Sequence, residues 1–317
     1  MERKIKSRLI WWLRAFITLL LLYLVFQIVS VEKIISAIEN ADIFLVLIAV
    51  SLTPIHIILQ SVKWRVLVRQ LNVDFTLYNS IRSVIFGITI GIVTPGQLGE
   101  FVGRAVSAEN ISKSSLVGLA ITDKIQNMII LALGGLTTYI IFAFGFSILT
   151  VVSSLLISFV LISIAMSLPR ISSLFLRFIP EELKKPWLLN SFSAVKGISS
   201  RVLLISIVFS CIFYLVVLVQ MHLLLNSFLD VPLESTLFGY ATMMFVKALL
   251  PISFGDIGIR ELSAMYFFSL QGVPHEPVFN ASALLFFLNI ALPSVLGSFL
   301  VPRFERFILE AIERSRQ

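Results

Sequence analysis

Six apolar runs, each long enough to cross a lipid bilayer, dominate the sequence. They lie near residues 9–29, 41–62, 125–145, 147–168, 202–225 and 278–301. An α-helix needs about 20 predominantly apolar residues to span the hydrocarbon core of a membrane. Only 14% of the residues are charged, against about 25% in ordinary soluble domains. We therefore expect an all-α integral membrane protein, a single polytopic domain over 1–317 with about six full transmembrane helices.

The basic residues between these runs predict which side of the membrane each connection faces. Lysine and arginine are concentrated in the N-terminal segment, in 63–82, in 169–201 and in the tail after 301. Acidic residues outnumber lysine and arginine in 30–42, 226–235 and 271–277. Because cytoplasmic loops carry the excess of Lys and Arg, we assign the first group and both termini to the cytoplasmic side. The second group is assigned to the opposite side.

A polar motif, Pro-x-x-x-Gly-(Glu or Asp)-x-x-x-Arg, occurs twice in otherwise apolar surroundings. Its members are Pro95, Gly99, Glu100 and Arg104 in the first copy, and Pro251, Gly255, Asp256 and Arg260 in the second. The repetition indicates an internally duplicated chain. We expect the functional site to lie where the two copies meet.

Each copy follows a short apolar arm, and the loop charges place the two copies on opposite sides. The arm 83–94 is too short to cross a bilayer. We predict two re-entrant helical hairpins, 83–108 and 236–270, that enter from opposite faces. The corresponding repeats are 41–168 and 202–301. Inverted-topology repeats with broken helices are typical of many transporters.

The motif residues suit the recognition of an anion. Proline and glycine predict a helix break, and the first turn of the helix that follows offers unpaired N–H groups to an anion. Gly99 and Gly255 permit a close approach of the backbone. Each acid precedes its arginine by four residues, so the pair is expected to share one helix face. Arg104 and Arg260 could then grip a phosphodiester through two parallel hydrogen bonds, with Glu100 and Asp256 orienting them.

The alternative interpretation of the two acid–base pairs is purely structural. A carboxylate and a guanidinium that neutralise each other allow a helix to sit in a low-dielectric interior without any ligand. Three further polar residues are candidates for contact with a ligand or with another helix. Lys247 either binds a headgroup or pairs with an acid, and Asp123, at the start of a predicted span, is a candidate cavity contact. Glu261 lies about 100° around the helix from Arg260, so we expect it to partner another helix.

The sequence excludes several kinds of site. Cys211 is the only cysteine, and the three histidines have no ligand spacing, so no metal site and no cofactor is expected. Nucleotide-binding and hydrolase motifs are missing, so we expect a transporter and not an enzyme. Two rival functions remain open: a membrane-embedded polyprenyl-phosphate or headgroup-transferring synthase, and an accessory subunit of an envelope-lipid biosynthesis complex. The net charge of +7 fits positive loops better than nucleic-acid binding.

The segments TPGQLGEFVGRA and PISFGDIGIRE resemble the lysylphosphatidylglycerol synthase transmembrane family, the flippase-like module of aminoacyl-phosphatidylglycerol synthases. The resemblance implies a lipid flippase or scramblase in the cytoplasmic membrane of a prokaryote, with an anionic phospholipid or lipid-linked headgroup as its substrate. It also implies that aminoacyl transfer belongs to a separate soluble domain, which we expect this chain to lack. A second copy of the chain or a lipid-biosynthesis enzyme is the expected protein partner.

Overall fold

The computed structural model describes residues 39–94, 96–106, 111–253 and 255–300, together with residue 32. All regular elements in these ranges are helical. The α-helices are α1 (Ile43–Val68), α2 (Leu77–Ile92), α3 (Gly99–Val106), α4 (Lys113–Phe144), α5 (Ile148–Met166), α6 (Leu168–Phe178), α7 (Pro186–Lys196), α8 (Ser200–Asn226), α9 (Leu233–Leu249), α10 (Ile259–Ser269), α11 (His275–Phe286) and α12 (Leu292–Leu300). A π-helical segment, Phe287–Ala291, joins α11 to α12. The all-α class expected from the sequence is confirmed.

Among the residues that the structure describes, five stretches of helix are long and apolar enough to cross a membrane. They are α1, α4, α5, α8 and the continuous helix His275–Phe299. They coincide with five of the six spans that the sequence predicts, and the remaining one, 9–29, lies outside the described residues. The protein is therefore a multi-pass membrane protein.

The first motif forms a helical hairpin, α2–α3, with a break between Ile92 and Gly99. The two arms pack closely, because a Cβ on Gly103 would lie 2.8 Å from the Cα of Gly87. Thr94 stabilises the turn, since its Oγ1 accepts a 2.7 Å hydrogen bond from the N–H of Gly99. This bond occupies one of the backbone donors that the start of a helix leaves unpaired.

The second motif forms a second hairpin, α9–α10, with a longer break between Leu249 and Ile259. Its arms also pack without space for a side chain, because a Cβ on Gly239 would lie 2.5 Å from the ring of Phe268. Gly258, with φ +87°, precedes α10. Its N–H donates a 2.7 Å hydrogen bond to Oε2 of Glu261, so a glutamate in the first turn caps this helix.

Helix α4 is the element against which both hairpins pack, since it contacts α3 of the first and α9 of the second. Glycines let its neighbours approach closely. A Cβ on Gly134 would lie 2.6 Å from the hydroxyl of Tyr214 on α8, and one on Gly135 would lie 2.4 Å from Cβ of Phe245 on α9. Such small residues are typical of helix interfaces in membranes. This packing fixes the two hairpins relative to each other.

Candidate functional site

The turns of the two hairpins touch. We call them the first tip, residues 93, 94 and 96–98, and the second tip, residues 250–253 and 255–258. The N–H of Gly96 donates a 3.2 Å hydrogen bond to the carbonyl oxygen of Ser253. Gly96 has φ +56°, and a Cβ on it would lie 2.5 Å from the Cβ of Pro251. The two copies of the motif therefore meet in the structure, as the sequence led us to expect.

A cavity of about 360 Å³ lies beside the joined tips. Residues of both hairpins line it, together with residues of α1, α4, α8 and α11. Most of the lining is apolar, including Ile88, Phe213 and Leu285. The charged residues of the lining are Glu100, Lys124, Lys247, Asp256 and Arg260. An apolar cavity with a few convergent polar groups is the usual composition of a ligand site.

Arg104 is held by acids from two helices. Its guanidinium binds Glu100, four residues earlier on α3, and its Nη1 lies 2.9 Å from Oδ2 of Asp123 on α4. The ring of Trp64 lies 5.2 Å from the guanidinium carbon. The predicted pairing of Glu100 with Arg104 is thus confirmed. Arg104 itself is 2% exposed and is not among the residues that line the cavity.

Lys63 completes this first charge network, and sequence analysis misassigned it. Its Nζ lies 2.7 Å from Oδ1 of Asp123 and donates a 2.7 Å hydrogen bond to Oδ1 of Asn127. We counted Lys63 as part of a cytoplasmic loop, but α1 continues to Val68 and buries it. The placement of Asp123 at the start of a span is also wrong, because α4 begins at Lys113. Asp123 therefore lies well inside the helix and joins two buried cations.

The predicted pairing of Asp256 with Arg260 on one helix face is wrong. Asp256 lies in the second tip with φ +61°, and α10 begins only at Ile259. Its Oδ2 instead lies 3.0 Å from Nζ of Lys247 on α9 and accepts a 3.1 Å hydrogen bond from Nε2 of Gln97 in the first tip. Lys247 thus pairs with an acid, which is one of its two predicted roles, and it also lines the cavity.

Arg260 is held by the residue next to it, and this corrects the expectation for Glu261. The guanidinium of Arg260 binds Glu261, although the sequence led us to expect a partner for Glu261 on another helix. The same carboxylate caps α10, so both of its oxygens are used within this turn. Nε of Arg260 donates a 3.2 Å hydrogen bond to Ser282, and its guanidinium carbon lies 4.6 Å from the Phe286 ring. Arg260 lines the cavity.

Lys124 is the most accessible of the charged groups whose ion pairs belong to this site. Its side chain is 32% exposed, and its Nζ lies 3.8 Å from Oε2 of Glu100. Lys124 lies within α4, well away from either end of the helix, and lines the cavity. An ammonium group that faces a cavity and has a distant partner can accept a second anion without first losing a short ion pair.

The two motif glycines have different roles. A Cβ on Gly99 would lie 2.5 Å from the carbonyl oxygen of Ile90, so this glycine allows α3 to fold back against α2. Gly255 has φ +56°, a conformation that residues with a Cβ rarely adopt. Its role is therefore the turn of the second tip.

The charges of the site do not cancel. Among the described residues, the site holds five cations and four acids, which leaves one excess positive charge; they are Lys63, Arg104, Lys124, Lys247 and Arg260, and Glu100, Asp123, Asp256 and Glu261. An anion inside the cavity would balance this charge. In the ranges that the structure describes, no three histidine, cysteine, aspartate or glutamate side chains lie together in a way that could hold a metal ion.

Comparison with known proteins agrees with the resemblance drawn from the two motif segments. Residues 11–297 match the family model described as the lysylphosphatidylglycerol synthase TM region. A search of curated proteins gives no match. The family match covers both hairpins, the cavity and all nine charged residues of the site. The chain therefore belongs to the lysylphosphatidylglycerol synthase TM region family.

Proposed function

We propose that this protein moves an anionic phospholipid, or a lipid-linked headgroup, between the two leaflets of the membrane, as a flippase or scramblase. One observation carries the proposal: the cavity beside the joined tips combines apolar walls with three cations, Lys124, Lys247 and Arg260. A phospholipid headgroup needs both features, because its phosphate is charged while the glycerol backbone and acyl chains beside it are apolar. Family membership indicates a function related to membrane lipids.

In this proposal the two hairpins are re-entrant and belong to an inverted repeat. Two features support this arrangement: the first and second tips make direct contact, and the loop charges assign the hairpins to opposite faces. A headgroup could then reach the joined tips from either side. We place the protein in the cytoplasmic membrane of a prokaryote, with both termini in the cytoplasm.

The three lining cations have distinct roles in the proposed mechanism. Arg260 offers Nη1, which takes no part in its bonds to Ser282 and Glu261, to a phosphate oxygen, and Phe286 holds the guanidinium from one side. Lys124 and Lys247 act as point charges. Asp256 and Glu100 neutralise these lysines when the cavity is empty and yield them to phosphate when a lipid enters.

Arg104 acts as a positioning residue in this scheme. It holds Glu100 at the cavity wall and connects it to Asp123, and Asp123 in turn binds Lys63. Phosphate contact by Arg104 would require the loss of two buried ion pairs, whose partners would then be uncompensated charges in a low-dielectric interior. Arg260 lines the cavity and has one acidic partner among the described residues, so it is the arginine that we assign to phosphate.

The proposal is tested with purified protein in liposomes that contain a fluorescent phosphatidylglycerol. A membrane-impermeant reductant quenches only the outer leaflet, so exchange between leaflets gives quenching beyond one half of the signal. We expect faster and more complete quenching than in protein-free liposomes, and mass spectrometry should recover the lipid unchanged. Quenching equal to that of protein-free liposomes would contradict the transport function, and would favour the accessory subunit.

The same liposomes distinguish transport from catalysis. A synthase would convert the labelled lipid into a new species when a headgroup donor or a polyprenyl-phosphate acceptor is added. We expect no such species, because the cavity offers cations that can hold an anion and the sequence shows no nucleotide-binding or hydrolase motif. A donor-dependent product of new mass would replace the transport proposal with the enzyme.

A further inference from the structure

Two buried polar atoms, on side chains that line the cavity, make no hydrogen bond of ordinary geometry among the described residues. His56 on α1 is 1% exposed, and both His56 and Asn289, in the π-helical segment, line the cavity. The side chain of Asn289 is close enough to the ring of His56 to interact with it. Even so, neither Nε2 of His56 nor Oδ1 of Asn289 makes a hydrogen bond of ordinary geometry within the described residues. Buried polar atoms without a partner are rare and call for a physical explanation.

The neighbours of His56 determine which of its ring nitrogens carries the proton. A guanidinium only donates hydrogen bonds, so the 3.4 Å contact from Nη2 of Arg104 fixes Oε1 of Gln60 as its acceptor. Nε2 of Gln60 then faces Nδ1 of His56 at 3.2 Å. In the neutral ring, Nδ1 is therefore the acceptor and Nε2 carries the hydrogen. Nε2 of His56 is therefore a donor without a hydrogen bond of ordinary geometry among the described residues, on a side chain that lines the cavity.

A second chain of hydrogen bonds fixes the orientation of the Asn289 amide and leaves it with an acceptor, whereas His56 is left with a donor. The backbone carbonyl of Ala49 can only accept, so it fixes Nε2 of Gln220, which donates to it at 2.9 Å. Oε1 of Gln220 therefore faces Asn289 and accepts a 2.7 Å hydrogen bond from its Nδ2. The remaining atom, Oδ1, is an unused acceptor. His56 and Asn289 thus bring a donor and an acceptor to the wall of the cavity.

The backbone around Asn289 has an unusual conformation. Residues Phe287–Ala291 form a π-helical turn between α11 and α12. Such turns are rare and occur frequently at functional sites. This turn carries Asn289 in a helix that otherwise continues from His275 to Phe299. It is a second observation, independent of the unused hydrogen bonds, that marks this side of the cavity.

We propose that His56 and Asn289 form a subsite for a hydroxyl group of the lipid headgroup. The inference rests on the proposed function, because it takes the cavity to hold a lipid. A hydroxyl placed between the two side chains would donate its hydrogen to Oδ1 of Asn289 and accept one from Nε2 of His56. Both unused groups would then be satisfied. The substrate class narrows to anionic lipids whose headgroup carries a hydroxyl, with phosphate at the three cations.

Two lipids that differ in hydroxyl groups alone test this subsite. Phosphatidylglycerol and phosphatidylpropanol carry the same phosphodiester charge and the same number of headgroup carbons, but only the first has free hydroxyls. Native mass spectrometry measures the binding of each lipid to the purified protein, and the liposome assay measures the exchange of each. We expect phosphatidylglycerol to be favoured about five-fold in both, as one or two net hydrogen bonds would give.

Variants connect that preference to the two side chains. His56→Phe keeps a ring against Phe213, whose centroid lies 5.7 Å away, but removes the donor. Asn289→Leu removes the acceptor at nearly constant volume. Each variant should reduce the ratio of phosphatidylglycerol binding to phosphatidylpropanol binding to about one. The binding of phosphatidylpropanol itself should stay unchanged. His56→Gln, which keeps a neutral donor, should restore part of the preference. His222→Phe is the matched control, because His222 bonds Thr236 and is not among the residues that line the cavity.

The outcomes separate this inference from the proposed function. Preferential binding of phosphatidylglycerol without leaflet exchange would support the subsite and remove the transport function. Exchange of both lipids at equal rates and with equal binding would overturn the subsite, leaving a water molecule or a direct contact between His56 and Asn289 as the explanation. Equal loss of both lipids in His56→Phe and Asn289→Leu would also overturn it, since the two residues would then be structural.

Discussion

Gln97 and Asp256, which lie in different tips, are joined by a 3.1 Å hydrogen bond, and both adopt a left-handed backbone conformation with φ of 56° and 61°. Among the described residues, these are the non-glycine positions with positive φ. A residue with a Cβ pays roughly 1–2 kcal/mol in this region. Strain of this kind persists where the surroundings impose it, often at functional sites. The contact between the tips is therefore a defined feature and not an incidental approach.

Two substitutions at Gln97 separate backbone strain from the hydrogen bond. Gln97→Ala and Gln97→Gly both remove the bond to Asp256, but only glycine relieves the left-handed strain. We expect the alanine variant to be destabilised by about 1 kcal/mol and the glycine variant to be clearly more stable than the alanine variant. Thermal unfolding in detergent measures this order. If the two variants were equally stable, Gln97 would not adopt a left-handed backbone conformation in the folded protein.

Gly96 tests whether contact between the tips is needed for function. Gly96→Ala would introduce a Cβ 2.5 Å from that of Pro251, whereas Gly272→Ala, at φ +75°, would meet nothing within 4 Å. Both substitutions introduce the backbone strain of a positive φ. A difference between the two variants in lipid exchange therefore reports the steric clash of Gly96→Ala with Pro251. We expect Gly96→Ala to reduce lipid exchange at least ten-fold, the effect of an added barrier of about 1.4 kcal/mol, and Gly272→Ala to exchange lipid normally. Similar rates in the liposome assay would make the contact dispensable.

Part of this architecture could be predicted from the sequence. Apolar length gave five spans, and the motifs Pro95–Arg104 and Pro251–Arg260 marked both helix breaks. The pairing of Glu100 with Arg104 followed from helical spacing. The same spacing failed for Asp256, because the second break is longer and Asp256 belongs to the turn and not to α10.

Other features could not be predicted, for physical reasons. Lysine near the end of an apolar run is ordinarily a loop charge, so Lys63 could be recognised as buried only from its partner Asp123, which lies on another helix. Hydropathy also cannot detect a π-helical turn, since the residues around Asn289 are apolar in either helix type. The contact between the tips depends on the tertiary packing of distant segments, so it could not be predicted from the local sequence pattern.

Asp123 should be indispensable for stability. It lies between Lys63 and Arg104, at 2.7 and 2.9 Å, so Asp123→Asn leaves two buried cations short of a counter-charge. Removing one partner of a buried ion pair typically costs 3–5 kcal/mol, and we expect a loss at least this large. Glu181→Gln is the control, because the exposed pair of Glu181 with Lys184 should change the stability by less than about 1 kcal/mol. Unfolding of the detergent-solubilised protein measures the stability of both variants. Comparable stabilities of Asp123→Asn and Glu181→Gln would refute the stabilising role of the buried charge network.

Cysteine labelling tests the topology. In a Cys211→Ser background, single cysteines replace Glu234, which is exposed at the start of α9, and Ser193, which is exposed on α7. The loop charges place these positions on opposite sides of the membrane. An impermeant thiol reagent should label the first in intact cells, and the second only after permeabilisation. Labelling of Ser193→Cys from outside would reverse the assignment.

The cavity charges are the central claim, and one variant tests them most directly. Lys247→Gln combined with Asp256→Asn removes both charges of a cavity pair 3.0 Å apart without leaving an unpaired ion. Asparagine tolerates the left-handed backbone and can still accept the bond from Gln97, so folding should be retained. The matched control neutralises the exposed pair Glu181 and Lys184. We predict that the leaflet-exchange rate of the double cavity variant falls to that of protein-free liposomes, while the control exchanges lipid like the unmodified protein. A wild-type rate in the folded cavity variant would contradict the account.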